Sequence, residues 1–477
     1  MSFHAIFNVS LSRRCILSLS GLLLFARSGL STNPFAQYPV DFPDPSFISN
    51  EHFAANLAGA EATVIQWADN MTAYGPWSIP TGVTNKPVVA PSGDKHDYMS
   101  WAPYQWPNCT EVGNKTVLSP QEGTYSRIWK TCPYVFRDGE VNPDRTTIND
   151  FQSFFNLSDA VLYNAIAASL QNSPSSVHSQ NAAKFINTWF LDSATSMNPN
   201  LNYAQMNRGP NGQTGEYTGI LDLRGFAKIA SGILILRMIK SSDWTPDLDT
   251  QMIAWCNKYI DWLQTAPTAK QAASSNNNHG TIFVNQLAAL KLIVGDTADA
   301  VNLTRGYFKG IYQGQLKANG DQPLEATRSR PYHYRNFNIA GMITNARILK
   351  FGDPSSTPWS TTANGATIKT AVDFLMTTNS SVTGEANITA EIYPNVAAVA
   401  SVYGDPSGSY VKFLNSSGFP YADDASFLWD QPLAGGDPSA AGGSSPGGAK
   451  KGDARRSSLE WAAGASLALL MLTLQLG

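Results

Sequence analysis

The feature that most constrains this chain is the helical period that runs, with few interruptions, from about Asn149 to Thr377. Met252, Cys256, Tyr259 and Leu263 fall on one helical face. So do Phe283, Leu287, Leu290 and Val294, with Gly295 placed to end that helix. Similar segments run over Ser158–Leu170, Asn181–Asp192, Leu221–Ile239, Ala298–Gln313, Tyr334–Phe351 and Ile368–Thr377, and Phe53, Leu57, Ala60, Val64 and Trp67 mark an earlier one within Glu51–Tyr74. Two-residue alternation is almost absent, and no repeat of 34 or 40 residues is visible, which excludes the common solenoid families. The expectation is an all-α fold, an incomplete (α/α) toroid or barrel of helical hairpins, with a groove where the inter-helix loops converge. The long irregular stretch from about Gly75 to Pro143 is expected to lie over that cleft.

Composition agrees with a globular chain of 477 residues, 43% hydrophobic and 11% aromatic. Charged residues make up only 14%, against roughly 25% in typical soluble proteins, which suits a secreted, glycan-covered surface. A net charge of −3 offers no general attraction to nucleic acid or anionic membranes, so basic contacts to a polyanion must be local. Arg13 and Arg14 precede an apolar run from Cys15 to Ala26, giving a signal peptide over residues 1–31. A Gly/Ser/Pro-rich linker (431–450) follows a main domain (32–430). Residues 451–477 then read as a removed glycosylphosphatidylinositol (GPI) signal with its spacer and hydrophobic tail. The expected location is therefore the cell surface, with a lipid anchor in the membrane. Cys109 and Cys132 are expected to pair in an oxidising compartment, and Cys256 to be a buried thiol. Glycosylation acceptors stand at Asn70, Asn108, Asn114, Asn156, Asn302, Asn379, Asn387 and Asn415. No metal site or cofactor is expected.

The stretch Ser274-Ser275-Asn276-Asn277-Asn278-His279-Gly280 separates two helical segments. Asparagine tracts make poor helix interiors but good turns, so Asn276 and Asn277 are expected to form the turn that presents Asn278 and His279. A second polar stretch, Arg328-Ser329-Arg330-Pro331-Tyr332-His333-Tyr334-Arg335-Asn336-Phe337, supplies partners. Such residues suit a uronic acid. Its C5 proton becomes acidic only when the adjacent carboxylate is neutralised, a task for Asn, Arg and His donors. A base must then take that proton and an acid must protonate the departing O4, and His and Tyr can fill both roles. A tyrosine beside an arginine is expected to have its pKa lowered.

Asn-Asn-His-Gly followed by Arg-x-Arg-x-x-x-Tyr-x-Asn-Phe resembles the alginate lyase-like polysaccharide lyases. Two upstream segments carry the same resemblance: Pro91-Ser92-Gly93-Asp94-Lys95-His96-Asp97-Tyr98-Met99-Ser100, running on to Tyr104-Gln105-Trp106-Pro107, and Pro133-Tyr134-Val135-Phe136-Arg137-Asp138-Gly139-Glu140. The resemblance spans roughly Glu51 to Trp429. It implies an incomplete α/α toroid and metal-independent β-elimination of an acidic polysaccharide of the alginate or glucuronan kind. Carried over by position, Asn278 neutralises the carboxylate and His279 does so or acts as base. Tyr334 donates the proton and is a second candidate for the base, and Arg328 holds Tyr334 or the carboxylate. Lys95, His96, Tyr98, Arg330 and His333 are implied to bind substrate.

Plainer readings stand beside these. Tyr332 and Phe337 are expected in the core, Arg335 on a solvated face, and Asp222 with Arg224 as a buried or capping pair. Lys95 to Tyr98 could be a turn tied down by Asp94 and Asp97. Trp101 and Trp106 could be sugar platforms or packing. Two rival functions remain: an α/α-barrel glycoside hydrolase using Asp222 and Glu325, and a glycan-binding protein without catalysis.

Overall fold

A computed structural model gives the fold. It describes residues 40–49, 58–79, 88–110, 131–419 and 423–430. The chain divides into Met1–Pro34 and Phe35–Gly477, and every described residue belongs to the second unit. The signal peptide, the linker, the lipid-anchor signal and Asn114 lie outside the described residues.

The helices are α1 Pro45–Ser49, α2 Ala58–Tyr74, α3 Asp150–Leu170, α4 Val177–Ile186, α5 Phe226–Met238, α6 Pro246–Thr265, α7 Pro267–Ala273, α8 Asn278–Ile293, α9 Thr297–Lys309, α10 Pro323–Ala326, α11 Pro331–Gly352, α12 Ile368–Met376, α13 Tyr393–Tyr403 and α14 Ser409–Ser416. Burial sorts them into two layers. Every residue of α8 except Lys291 is buried, whereas α6 buries only Met252, Trp255, Cys256, Tyr259, Ile260 and Leu263. A helix covered on all sides has no need of a polar face. The inner helices α3, α5, α8, α11 and α13 pack each on the next, and α2, α4, α6, α9, α12 and α14 cover them from outside. This is the all-α incomplete toroid expected from the periodicity.

Local chemistry sets the helix ends. Thr245 caps α6 ahead of Pro246, and Ser176 and Thr367 form capping boxes on α4 and α12. Gly295, at φ +84°, ends α8 as expected. The helix expected over Leu221–Ile239 is instead two pieces, a 3-10 segment Tyr217–Leu223 and α5. The break falls where Gly225 meets α3. A Cβ there would stand 2.5 Å from the Ser158 hydroxyl, so α5 can start only at a glycine.

Among the described residues, the loop region from Gly75 to Pro143 carries the first three of four short strands: β1 Met99–Trp101, β2 Gln105–Pro107, β3 Tyr134–Phe136 and, later in the chain, β4 Tyr203–Met206. β1 pairs in parallel with β4, and β2 with β3 antiparallel. The Cys109–Cys132 disulfide closes one end of the β2–β3 hairpin, and Cys256 is free and buried. Of the described glycosylation acceptors, Asn156 is half-buried and the others are exposed. No helix among the described residues is long and apolar enough to cross a membrane.

Arg347 on α11 joins the two ends of the described fold. Its guanidinium bridges Asp41 and Asp430, and the Trp429 indole N–H donates to Asp41 at 3.0 Å. Removing one partner of a buried ion pair strands the others, typically at a loss of about 3–5 kcal/mol. Arg347→Met is expected to lower unfolding stability by about that amount in urea titrations. A loss below about 1 kcal/mol would show that the clamp is dispensable.

Candidate active site

The turn into α8 is built as its residues dictate. The Asn277 side chain accepts the His279 N–H at 3.2 Å and caps the helix. A Cβ on Gly280 would lie 2.0 Å from the Ser275 carbonyl oxygen, so the turn closes onto the helix only with glycine there. Asn276 and Asn277 thus form the turn, and Asn278 and His279 open the helix.

Asn278 is fully buried. Its backbone N–H donates to one Glu325 carboxylate oxygen at 2.9 Å and its side-chain N–H to the other at 2.8 Å, while Oδ1 has no partner. Burial raises the Glu325 pKa, although the Asn278 donors oppose the rise. His279 packs edge-on against the Tyr217 ring at 5.2 Å, and its buried Nδ1 has no partner. Burial, with the Arg328 charge nearby, pushes its pKa down to about 4. The imidazole is neutral and able to accept a proton.

Arg328 connects the other groups. Its guanidinium pairs with Asp138 at 2.9 Å and lies 3.8 Å over the Tyr334 ring. Asp138 also accepts the Ser329 N–H at 3.1 Å. The Tyr334 hydroxyl shares a 2.7 Å hydrogen bond with that of Tyr104. The Tyr334 pKa is not lowered as expected. Burial and the neighbouring Tyr104 drive it well above the usual phenol range, and Arg328, over the ring face, opposes this only in part. Tyr334 therefore rests as a neutral phenol.

The remaining expected site residues divide. His333 on α11 pairs through Nδ1 with Glu391 at 2.9 Å and packs against both Tyr334 and Phe337. Arg330 is half-buried and has no ion pair among the described residues, and its side chain runs along Gly139. Lys95 is exposed. His96 Nδ1 sits 2.6 Å from the Ser196 carbonyl. Its loop is tied down as the plainer reading held, with Asp94 and Asp97 both accepting from the Asn198 amide. Tyr98 as a substrate contact is corrected. It has no exposed surface, and its hydroxyl donates to buried Asp222 at 3.1 Å, so it is a structural residue of the interior. No contact joins Lys95, His96 or Tyr98 directly to the Asn278–Tyr334 group among the described residues.

Several plainer readings are also settled. Tyr332 and Phe337 are core residues, and Trp101 is fully buried packing. Arg335 is not solvated, since it pairs with Asp321 at 2.8 Å. Asp222 is held by Tyr98, Ser100 and Gln205, and Arg224 lies against Phe151, Phe155 and Phe337, so the two are not a direct pair. Sequence reasoning missed the roles of Tyr104 and Asp138, though both stood inside quoted motifs. It missed Tyr217, Glu385 and Glu391 without any signal. No group of three His, Cys, Asp or Glu side chains among the described residues is placed to hold a metal ion.

The family model for alginate lyase matches residues 82–385. The crystal structure of an alginate lyase from Bacteroides ovatus is similar, with a TM-score of 0.66 and 25% sequence identity over 81% of this chain and 97% of that one. Curated proteins give no match.

The His279 shift has a consequence for stability. Its folded-state pKa of about 4 lies below the ordinary 6.5, so only the unfolded chain takes up its proton as pH falls from 7 to 5. The stability present above pH 6.5 is lost on acidification, by on the order of 2 kcal/mol at pH 5. Unfolding of wild type and His279→Gln at pH 7 and 5 checks this. The variant is expected to lose less, and equal losses would place an ordinary imidazole at 279.

Proposed function

The chain belongs to the alginate lyase family and is a polysaccharide lyase, and from that premise we propose that it cleaves a uronan at the cell surface by metal-independent β-elimination. The observation that carries the reading is one guanidinium, Arg328, acting on two proton-transfer groups in opposite resting states. It covers the neutral phenol of Tyr334 and helps hold His279 as a neutral base.

In this reading Arg328 and Arg330 supply the charge that neutralises the substrate carboxylate, and the second side-chain N–H of Asn278, the one not given to Glu325, adds a donor. His279 takes the C5 proton. The electrons of that C–H bond form the C4–C5 double bond as the C4–O4 bond breaks, and Tyr334 protonates the departing oxygen. Tyr104, bonded to Tyr334, is placed to return a proton to it. The products are a new reducing end on the departing fragment, which keeps O4, and a 4,5-unsaturated uronyl at the non-reducing end of the other. The hydrolase reading loses support because Asp222 and Glu325 are both buried and already engaged.

Secretion and the lipid anchor rest on the terminal sequence signals. The Cys109–Cys132 bond and the exposed acceptors Asn70, Asn108, Asn302, Asn379, Asn387 and Asn415 suit that compartment. Phosphatidylinositol-specific phospholipase C is expected to release the protein from intact cells. Retention of all the protein after treatment, with a known anchored protein released in parallel, would refute the anchor.

The reaction is tested by incubating the protein with alginate, glucuronan and related uronans and following absorbance of the new double bond. Tyr334→Phe is expected to abolish the chromophore while polymer binding persists. Tyr104→Phe should lower kcat by roughly one to two orders of magnitude with little change in KM. Full activity of Tyr334→Phe would remove Tyr334 from the chemistry, and reducing ends released without the chromophore would indicate hydrolysis.

A further inference from the structure

We propose that Phe136 and Arg137, adjacent at the open end of the β2–β3 hairpin, hold the uronan beside the scissile bond, Phe136 against one unit and Arg137 at the carboxylate of a neighbouring one. This rests on the uronan lyase reading above and adds a binding position to it. Phe136 pairs in register with Gln105, at the end of the hairpin opposite the Cys109–Cys132 bond. Phe136 is 63% exposed, the more unusual because neighbouring Val135 is 38% exposed on the same short strand. The ring meets Tyr104 edge-to-face at 6.1 Å and 83°, and the Tyr104 hydroxyl bonds that of Tyr334. A polymer seated over Tyr334 thus passes close to Phe136.

The next residue brings the opposite chemistry. The Arg137 side chain is 48% exposed and its guanidinium lies 5.2 Å over the Trp106 ring. Its carboxylate partner, Glu140, stands at a marginal 3.5 Å and is itself 62% exposed, a pair weak enough to yield to a better anion. An acidic pyranose presents a C–H face and a carboxylate. Successive side chains of a strand point apart, so Phe136 offers an aromatic surface to the C–H face of one unit and Arg137 a planar donor fork to the carboxylate of the next.

The two residues after Arg137 fix this surface to the reacting groups. Asp138 pairs with Arg328, and Gly139, at φ +78°, packs so closely on Ser329 that a Cβ would lie 2.4 Å from its hydroxyl. The occupant is therefore the substrate polymer itself, on a surface continuous with the catalytic cleft.

The test uses initial rates on whichever uronan the wild-type chain cleaves. Phe136→Ala is expected to raise KM about tenfold with kcat changed by less than about twofold, the pattern of lost ground-state binding. Phe136→Trp should restore KM towards wild type. Arg137→Ala should raise KM at low salt and differ less from wild type at high salt. Thermal unfolding checks that these exposed substitutions leave the fold intact. An unchanged KM in Phe136→Ala overturns the subsite while the wild-type chromophore keeps the lyase reading. A fall in kcat at unchanged KM also overturns it, because Phe136 would then act by positioning Tyr104. If no uronan gives the chromophore, the lyase reading fails by itself, and calorimetric titration with the same polymers decides the subsite by whether Phe136→Ala weakens binding.

Discussion

The first backbone N–H groups of α8 and α11 have no partners within their own helices, and the cleft is built around the carboxylates that take them. Glu325 accepts from Asn278, and Glu385 accepts from Tyr332 and His333 at 2.9 and 3.0 Å. Each carboxylate comes from another segment, so capping the helix also fixes where that segment lies. Glu325 belongs to α10, which leads directly into Arg328 and α11. One short run of chain therefore caps the helix carrying His279 and delivers the arginine and tyrosine that face it. An anion at a helix N-terminus is favoured by the helix dipole, so these caps are stabilising as well as positional.

Charge balance within the cleft follows from competing magnitudes. Arg328 acts on His279 in the same direction as burial, and the imidazole stays neutral. On Tyr334 it acts against burial and loses, so the phenol keeps its proton. Asp138 feels both a burial penalty and the Arg328 and Ser329 donors, and there the donors win and its pKa falls. The outcome is a fixed cation, a fixed anion, an imidazole without an extra proton and a phenol that keeps its own.

Much of this was legible in the chain itself, for reasons of locality. Helical period marked most of the longer helices up to α12, though not α13 or α14, and the Asn-Asn-His-Gly stretch declared a capped turn because cap, ligand and close-packing glycine are neighbours. What stayed hidden spans long separations. Tyr104 meets Tyr334 across 230 residues and Asp138 meets Arg328 across 190, and no local pattern encodes either meeting. Tyr98 misled for the converse reason. It stands among Asp, Lys and His residues that suggest a wet loop, yet it enters β1, where the chain turns inward and Asp222 takes its hydroxyl. Arg335 looked solvated because its partner, Asp321, is 14 residues away and off the helix period.

The carboxylates around the site decide which chemistry is left for it. Glu325 and Glu385 are helix caps, Asp138 is the Arg328 counter-ion, Asp222 is held by three donors, and Glu391 is bound to His333. Double displacement or inversion at a sugar needs two carboxyl groups free to face the scissile bond, and each of these already satisfies a partner whose loss would leave a buried group unpaired. The polar atoms without such duties are the Nδ1 of His279 and the Oδ1 of Asn278. Beside them stands a phenol whose hydroxyl is bonded only to a second phenol. An imidazole and a phenol can move a proton from carbon to oxygen, and neither need form a covalent sugar ester. Elimination is the reaction that asks for proton movement and carboxylate neutralisation alone, the first within reach of this imidazole and phenol and the second of Arg328 and Arg330.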